Sequence, residues 1–192
     1  LNAATGGGVP DAMVTAHRLD EAGYVDTPTD STGAFTLSLA SGEWHLGAEP
    51  LRLPPPAPPA EWVFPGPPAW VVFTPPITAT ETKTATLEVI PTNAWVEGRI
   101  VCPDGAPCDG DPPYEDIVPT DIWVELRSDD ISNSAHPNNL YEFIIPIPDG
   151  WYELVVHLGA RWLQGPEPVP VFVGPGSTYN AGDIHLLLKD AT

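Results

Sequence analysis

Hydrophobic and polar residues alternate along most of this chain, and the alternation has period two. Phe35, Leu37 and Leu39 take turns with Ala34, Thr36 and Ser38, as in a strand buried on one face. Asp30-Ser31-Thr32-Gly33 precedes them as a turn, with Asp30 placed to bond its own backbone and Gly33 free to take a positive φ. Ser41-Gly42 reverses the chain, and Trp44 and Leu46 alternate with Glu43 and His45 on the return. Residues 29–46 therefore predict a β-hairpin. No stretch predicts an amphipathic helix; the nearest attempt, Asp11 to Ala22, is strand-like at Val14 and Ala16.

The pattern occurs twice. At a constant offset of 108, Phe35, Leu37, Leu39, Gly42, Trp44 and Leu46 fall on Phe143, Ile145, Ile147, Gly150, Tyr152 and Leu154. Val14 and Ala16 fall on Ile122 and Val124 at the same offset. Two copies of one β unit are expected, residues 1–91 and 92–192, joined by a short linker at Pro91-Thr92-Asn93.

Gly8-Val-Pro-x-Ala-x-Val14, Thr29-Asp-x-x-Gly-x-Phe35, the alternating strand and the Gly-x-Trp-x-Leu return together resemble the carboxypeptidase regulatory-like domains. The resemblance covers about 45 residues of the first copy. In the second it covers the Trp95–Val101 strand and Leu140–Leu158, with Asn138-Asn139 in place of the Thr-Asp-x-x-Gly turn. It implies an all-β fold of two tandem transthyretin-like, immunoglobulin-like sandwiches. It also implies a non-catalytic module, common in secreted and cell-surface proteins. A fold does not fix a function.

Composition narrows the partners. The 192 residues include 26 acidic against 7 basic side chains, a formal charge of −19. A field of that sign repels phosphate backbones and anionic membranes, so nucleic acid and membrane insertion are not expected. Solubility is the plain reading of the acid excess. Pro (26) and Gly (17) punctuate strand-like segments instead of diluting them, which argues for an all-β chain over disorder. No signal peptide or transmembrane span is present.

The second copy begins with a clear strand, Trp95 to Val101. Matching Gly105-Ala106-Pro107 to Gly8-Val9-Pro10 leaves only Leu1, Asn2, Ala3, Ala4 and Thr5 near the equivalent place in the first copy. The first sandwich thus lacks most of a strand, and a sheet edge would be left open. Three explanations compete: a longer parent chain, a smaller sheet with a blunted edge, or a strand donated by another subunit. Donation head to tail does not close and builds filaments. Leu1–Thr5 or the C-terminal Leu186–Thr192, with Leu186, Leu187 and Leu188, are the candidate joints.

Residues 47–77 form a Pro-rich insertion holding two islands, Trp62-Val-Phe and Trp70-Val-Val-Phe. Each reads as a short, Pro-bounded edge strand. Trp62, Trp70 and the related Trp162 are either a lid folded onto the sandwich or an exposed platform for sugars. Thr80 to Thr86 alternate with Glu81, Lys83 and Ala85 on a predicted closing strand, 78–90, that could carry O-linked glycans.

Cys102 and Cys108 flank Pro-Asp-Gly and are the only cysteines. A disulfide stapling this hairpin is expected, worth about 2 kcal/mol for so short a loop, and it points to an oxidising, extracellular setting. Zinc would need more ligands than two thiols. Asp109, Asp111, Glu115 and Asp116 crowd one loop and are weak calcium candidates, although their spacing matches no EF-hand.

Catalytic signatures are missing. There is no Gly-x-Ser-x-Gly, no His-Glu-x-x-His and no phosphate-binding glycine loop. His45, His157 and His185 alternate with core positions and should face solvent. A Lys–Asn crosslink between first and last strands is not supported, because the first strand of the second copy carries Arg99 and no Lys. The expectation is a secreted, non-enzymatic structural protein without cofactors, a subunit of a surface fibre joined by strand complementation. The alternative is a carbohydrate-binding or adhesive accessory module of a secreted protein, with an extracellular or cell-surface location in either case.

Overall fold

In the computed structural model the described residues are 1–18, 22–40, 42–50, 61–65, 71–73, 82–105, 108, 117–159 and 163–188. They are all-β, with a single turn of 3-10 helix at Pro119–Asp121. The chain divides into two compact units, Leu1–Pro91 and Thr92–Thr192.

Unit one contains β1 (Ala12–Arg18), β2 (Tyr24–Pro28), β3 (Trp44–Pro50), β4 (Trp62–Val63), β5 (Val71–Phe73) and β6 (Ile90–Pro91). Unit two contains β7 (Ala94–Val101), β8 (Ile122–Arg127), β9 (Ser132–Ala135), β10 (Glu142–Ile147), β11 (Gly150–Leu158), β12 (Leu163–Gln164), β13 (Val169–Val173), β14 (Thr178–His185) and β15 (Leu187–Leu188).

The repeat is visible in the sheets. Unit one has a four-stranded sheet ordered β2-β1-β3-β5, and unit two has β9-β8-β11-β13 in the matching order. The short antiparallel pair β4–β6 has its counterpart in β12–β15. Thus the two Trp islands do supply short strands, at Trp62-Val63 and at Val71–Phe73.

Unit two adds a second sheet, β10-β7-β14, in which β7 runs antiparallel to β10 and parallel to β14. Its inward residues Val96, Ile100, Phe143, Ile145 and Ile147 close over Ile122, Val124, Leu126, Tyr152 and Leu154 of the four-stranded sheet. Alternation puts every second residue of each strand into this shared core.

Unit one has no such second sheet among the described residues. The strand predicted at 35–39 and the closing strand predicted at 78–90 are corrected here. Residues 34–40 and 82–88 carry no ladder pairing, and 78–81 lie outside the described residues. The physical reason is the place occupied by β7 in unit two. A strand is defined by its neighbour's hydrogen bonds, and 34–39 has no counterpart of β7 beside it.

The turn ahead of 34–39 is well formed. Asp30 accepts from the backbone N–H of Thr32 at 2.8 Å and of Ala34 at 3.0 Å. Gly33 takes φ +77° and donates to the Asp30 carbonyl. Thr29 accepts from the Ala12 N–H and donates to the Val9 carbonyl, tying the Gly8–Val14 segment to the turn. Asn138, at the same offset of 108 from Asp30, accepts from Leu140 and Glu142, and Tyr141 at φ 61° stands where Gly33 does. The replaced motif makes the same turn.

Candidate functional site

The most distinctive feature of unit one is an open groove of about 660 Å³. One wall is Ala34–Leu39, the other Thr82–Leu87, and Val14, Leu46 and Ala48 of the four-stranded sheet form its floor. Phe35, Leu37 and Leu39 point inward but are only half-buried, and Ala85 opposite them is half-buried too. Their counterparts on β10, beside β7, Phe143 (4% exposed), Ile145 (0%) and Ile147 (0%), are fully covered. The groove is the volume β7 fills in unit two.

Its lower end is closed by the beginning of the chain. The Leu1 amino group donates to the Leu87 carbonyl, Val89 N–H to Leu1, and Ala3 N–H to Val89, a parallel bridge of Asn2 with Val89. In unit two the Leu186 N–H donates to the Val101 carbonyl in the same way. Leu1 therefore stands where Val101, the last residue of β7, stands.

The candidate joint residues are accounted for inside their own units. Leu1, Asn2 and Ala3 pair with Leu87–Val89, while Asn2 caps the following bend through Ala4 and Thr5. Leu186 is fully buried, and Leu187-Leu188 pair with β12. Leu187 and Leu188 stay exposed on this two-stranded pair, with no second neighbouring strand among the described residues. Residues 189–192 lie outside the described residues.

Trp62 as an exposed sugar platform is also corrected. It is 8% exposed and packs with Ala12 and Val89 beneath Phe64. A large ring bounded by apolar neighbours gains more by burial than by stacking on a ligand in water. Trp70 and Trp162 lie outside the described residues, as do Asp109, Asp111, Glu115 and Asp116. Among the described residues no three His, Cys, Asp or Glu side chains are grouped to hold a metal. Cys102 and Cys108 are joined by a disulfide and both are buried.

Exposed aromatics occur elsewhere. Trp151 (68% exposed) and Phe172 (52%) pair across β11 and β13, with ring centres 5.1 Å apart. On the same outer face Trp123 stacks on His157 at 4.8 Å. Glu125 accepts from Ser132 at 2.6 Å and from His157 Nε2 at 2.7 Å. Burial pushes the Glu125 carboxyl up, but the hydrogen bonds from Ser132 and His157, with the charges of His157 and Arg127, together hold it below its ordinary value. His157 thus lies on the solvent side of its strand as expected, but in partnership with Glu125. Arg127 pairs with Glu153 between the two aromatic pairs. The sequence did contain the signal: Trp151 alternates with inward Tyr152, and Phe172 with inward Val171 and Val173.

A shallower hollow on the outer face of β10-β7-β14 is lined by Glu97, Arg99, Glu142 and Asp183. Arg99 is held there by Asp183 through two hydrogen bonds of 3.1 and 3.0 Å.

No family model matches the chain, and no curated protein matches it. Among solved structures it is similar to the Bacillus anthracis TIE protein, with a TM-score of 0.40 and 13% identity over 97% of this chain. The match spans 32% of that protein, and a likeness of this degree assigns neither family nor activity.

Proposed function

We propose that this chain is a secreted, non-catalytic structural protein, a subunit of an extracellular surface fibre whose joints are made by β-strand complementation of unit one. The observation that carries the reading is the groove between Ala34–Leu39 and Thr82–Leu87, open where the twin unit holds a strand. Two extended segments without ladder partners, beside half-buried Phe35, Leu37 and Leu39, are a template for another chain. The disulfide suits an oxidising compartment. The transthyretin-like resemblance suits a module of this kind. Negative-stain microscopy and light scattering on the purified chain test it. Filaments repeating at one or two sandwich lengths support the reading, and a monodisperse monomer at high concentration rejects it.

A second reading has its own observation. The exposed Trp151–Phe172 pair, with Trp123 further along the same face, is a set of flat rings suited to polysaccharide stacking. Under this reading soluble glycans quench tryptophan fluorescence, and Trp151→Ala removes the response. Unchanged fluorescence across a panel of neutral and acidic glycans dismisses it.

A further inference from the structure

We propose that the outer face of the β13-β11-β8-β9 sheet binds one uncharged, linear, β-1,4-linked glycan lying along β11, held at two aromatic stations with a polar row between them. This rests on the polysaccharide reading of the same face and adds the shape, charge and length of the ligand.

The register fixes the layout. Alternation turns Tyr152, Leu154 and Val156 of β11 into the core and leaves Trp151, Glu153, Val155 and His157 on the other side. On β13, Phe172 lies opposite Trp151. On β8, Arg127 lies opposite Glu153, Glu125 opposite Val155 and Trp123 opposite His157. The Trp151–Phe172 pair is one station and Trp123 the other. Residues 151 and 157 mark their places on β11, so about 20 Å of extended backbone separates them.

A site that long and straight suits an extended ligand. Equatorial β-1,4 linkages keep a sugar chain flat, so its apolar ring faces recur along one line and reach both stations at once. Chains with α linkages coil away from such a line.

The row between the stations decides between sugar and protein. Arg127 Nε and Nη2 both donate to Glu153 Oε2, at 3.2 and 3.1 Å, and both side chains are exposed. A protein partner would bury this ion pair at the middle of its interface, where charged side chains are depleted and desolvation is costly. Sugar hydroxyls donate and accept, so they can bond the second carboxylate oxygen and the remaining guanidinium nitrogen without breaking the pair. Nor does the row hold a surplus of positive charge. Arg127 is matched by Glu153, and Glu125 adds a carboxylate held by Ser132 and His157. On a chain of formal charge −19, an acidic glycan is repelled and an uncharged one is not.

Calorimetry on the full 192-residue chain tests this. The probes are β-1,4-linked oligomers of glucose, xylose, mannose and N-acetylglucosamine, from disaccharide to hexasaccharide, with acidic galacturonate oligomers of equal length. In at least one neutral series, affinity should rise by about tenfold or more once the oligomer reaches both stations. Trp151→Ala and Trp123→Ala should each return the long oligomer to the affinity of the short one. Trp123→Tyr, which keeps a ring, should restore most of the loss. Galacturonates should bind more weakly than the best neutral series. Amide protection of β8 and β11 shows that unit two remains folded; if Trp123→Ala unfolds it, Trp123→Leu, which keeps bulk without a flat ring, takes its place. Short and long oligomers that bind alike, with loss confined to Trp151→Ala, keep sugar stacking on this face and overturn the two-station site. Galacturonates that bind as well as neutral chains overturn the uncharged ligand. No binding by any neutral series removes the polysaccharide reading and this site together. Light scattering of the same variants covers a second copy of the chain as occupant: self-association lost with both alanine variants, without glycan binding, overturns the proposal.

Discussion

Leu37 and Ile145 hold the same position in the two units, yet Ile145, paired beside β7, is completely buried and Leu37 is only half-buried at the groove. Truncating them should have unequal effects. Ile145→Ala is expected to destabilise unit two by about 2–5 kcal/mol. Leu37→Ala should cost unit one less than this, because part of the Leu37 side chain stays in contact with water in the folded unit. Denaturant midpoints read separately for each unit by amide exchange check this. Equal losses would mean that Leu37 is covered in solution.

Gly8 and the Gly33 turn are in backbone contact. A Cβ on Gly8 would sit 1.7 Å from the Thr32 carbonyl oxygen, and no side chain can move aside to admit it. Gly8→Ala should therefore destabilise unit one by about 1–3 kcal/mol, in the range of other overpacking changes. Gly7→Ala meets only the Thr5 hydroxyl and should change stability little. Thermal unfolding of the two variants side by side is the measurement, and indistinguishable melting would contradict the contact.

Asp30 should make its turn acid-sensitive. The side-chain hydrogen bond from Thr32, then the backbone N–H groups of Thr32 and Ala34, hold its carboxyl below the ordinary value. A depressed folded pKa gives stability that is present above the unfolded value. That stability is lost as pH falls through the folded one. Asn138 makes the same turn without a charge. Asp30→Asn should thus keep the turn at neutral pH and remove this acid dependence. Exchange of the Thr32 and Ala34 amides between neutral and strongly acidic pH reads the difference.

Tyr152 should act in the opposite direction. Burial, with the nearby Asp149 charge, pushes its phenol up to about 12. A raised folded pKa gives stability that is complete below the unfolded value near 10 and lost as pH climbs through the folded one. Tyr152 also donates to the Pro148 carbonyl at 2.9 Å. Tyr152→Phe should lose about 0.5–1.5 kcal/mol at neutral pH for that hydrogen bond. It should also flatten the alkaline limb of the stability profile. Phenolate absorbance of wild type minus variant locates the titration, and an ordinary tyrosine value would refute the burial argument.

Much of this was legible in the chain itself. The offset of 108 predicted the repeated turns and return strands, and it extends to contacts no pattern names. The hairpins it also predicted are not formed: β10 pairs with β7 in one sheet, and β11 pairs with β8 and β13 in another. Trp44 Nε1 donates to the Ala40 carbonyl, as the Tyr152 hydroxyl does to Pro148 at the same offset, two different rings tying down the same corner. The aromatic face was less legible. Alternation with inward Tyr152 marks Trp151 as an outward position, whereas Trp62 in the Pro-rich insertion is core, and composition around a tryptophan does not distinguish the two.

The sequence by itself determined which face each residue takes, because side chains alternate along any extended backbone. It also determined where the chain turns, because only residues such as Asp30, Asn138 and Gly33 bond or bend the backbone that way. Whether an alternating segment becomes part of a sheet was decided by tertiary structure alone. Ala34–Leu39 and Glu142–Ile147 share one pattern, and only the second is a strand. Backbone hydrogen bonds are made between segments distant in the chain, so alternation fixes the face a strand presents and leaves its neighbour to the fold.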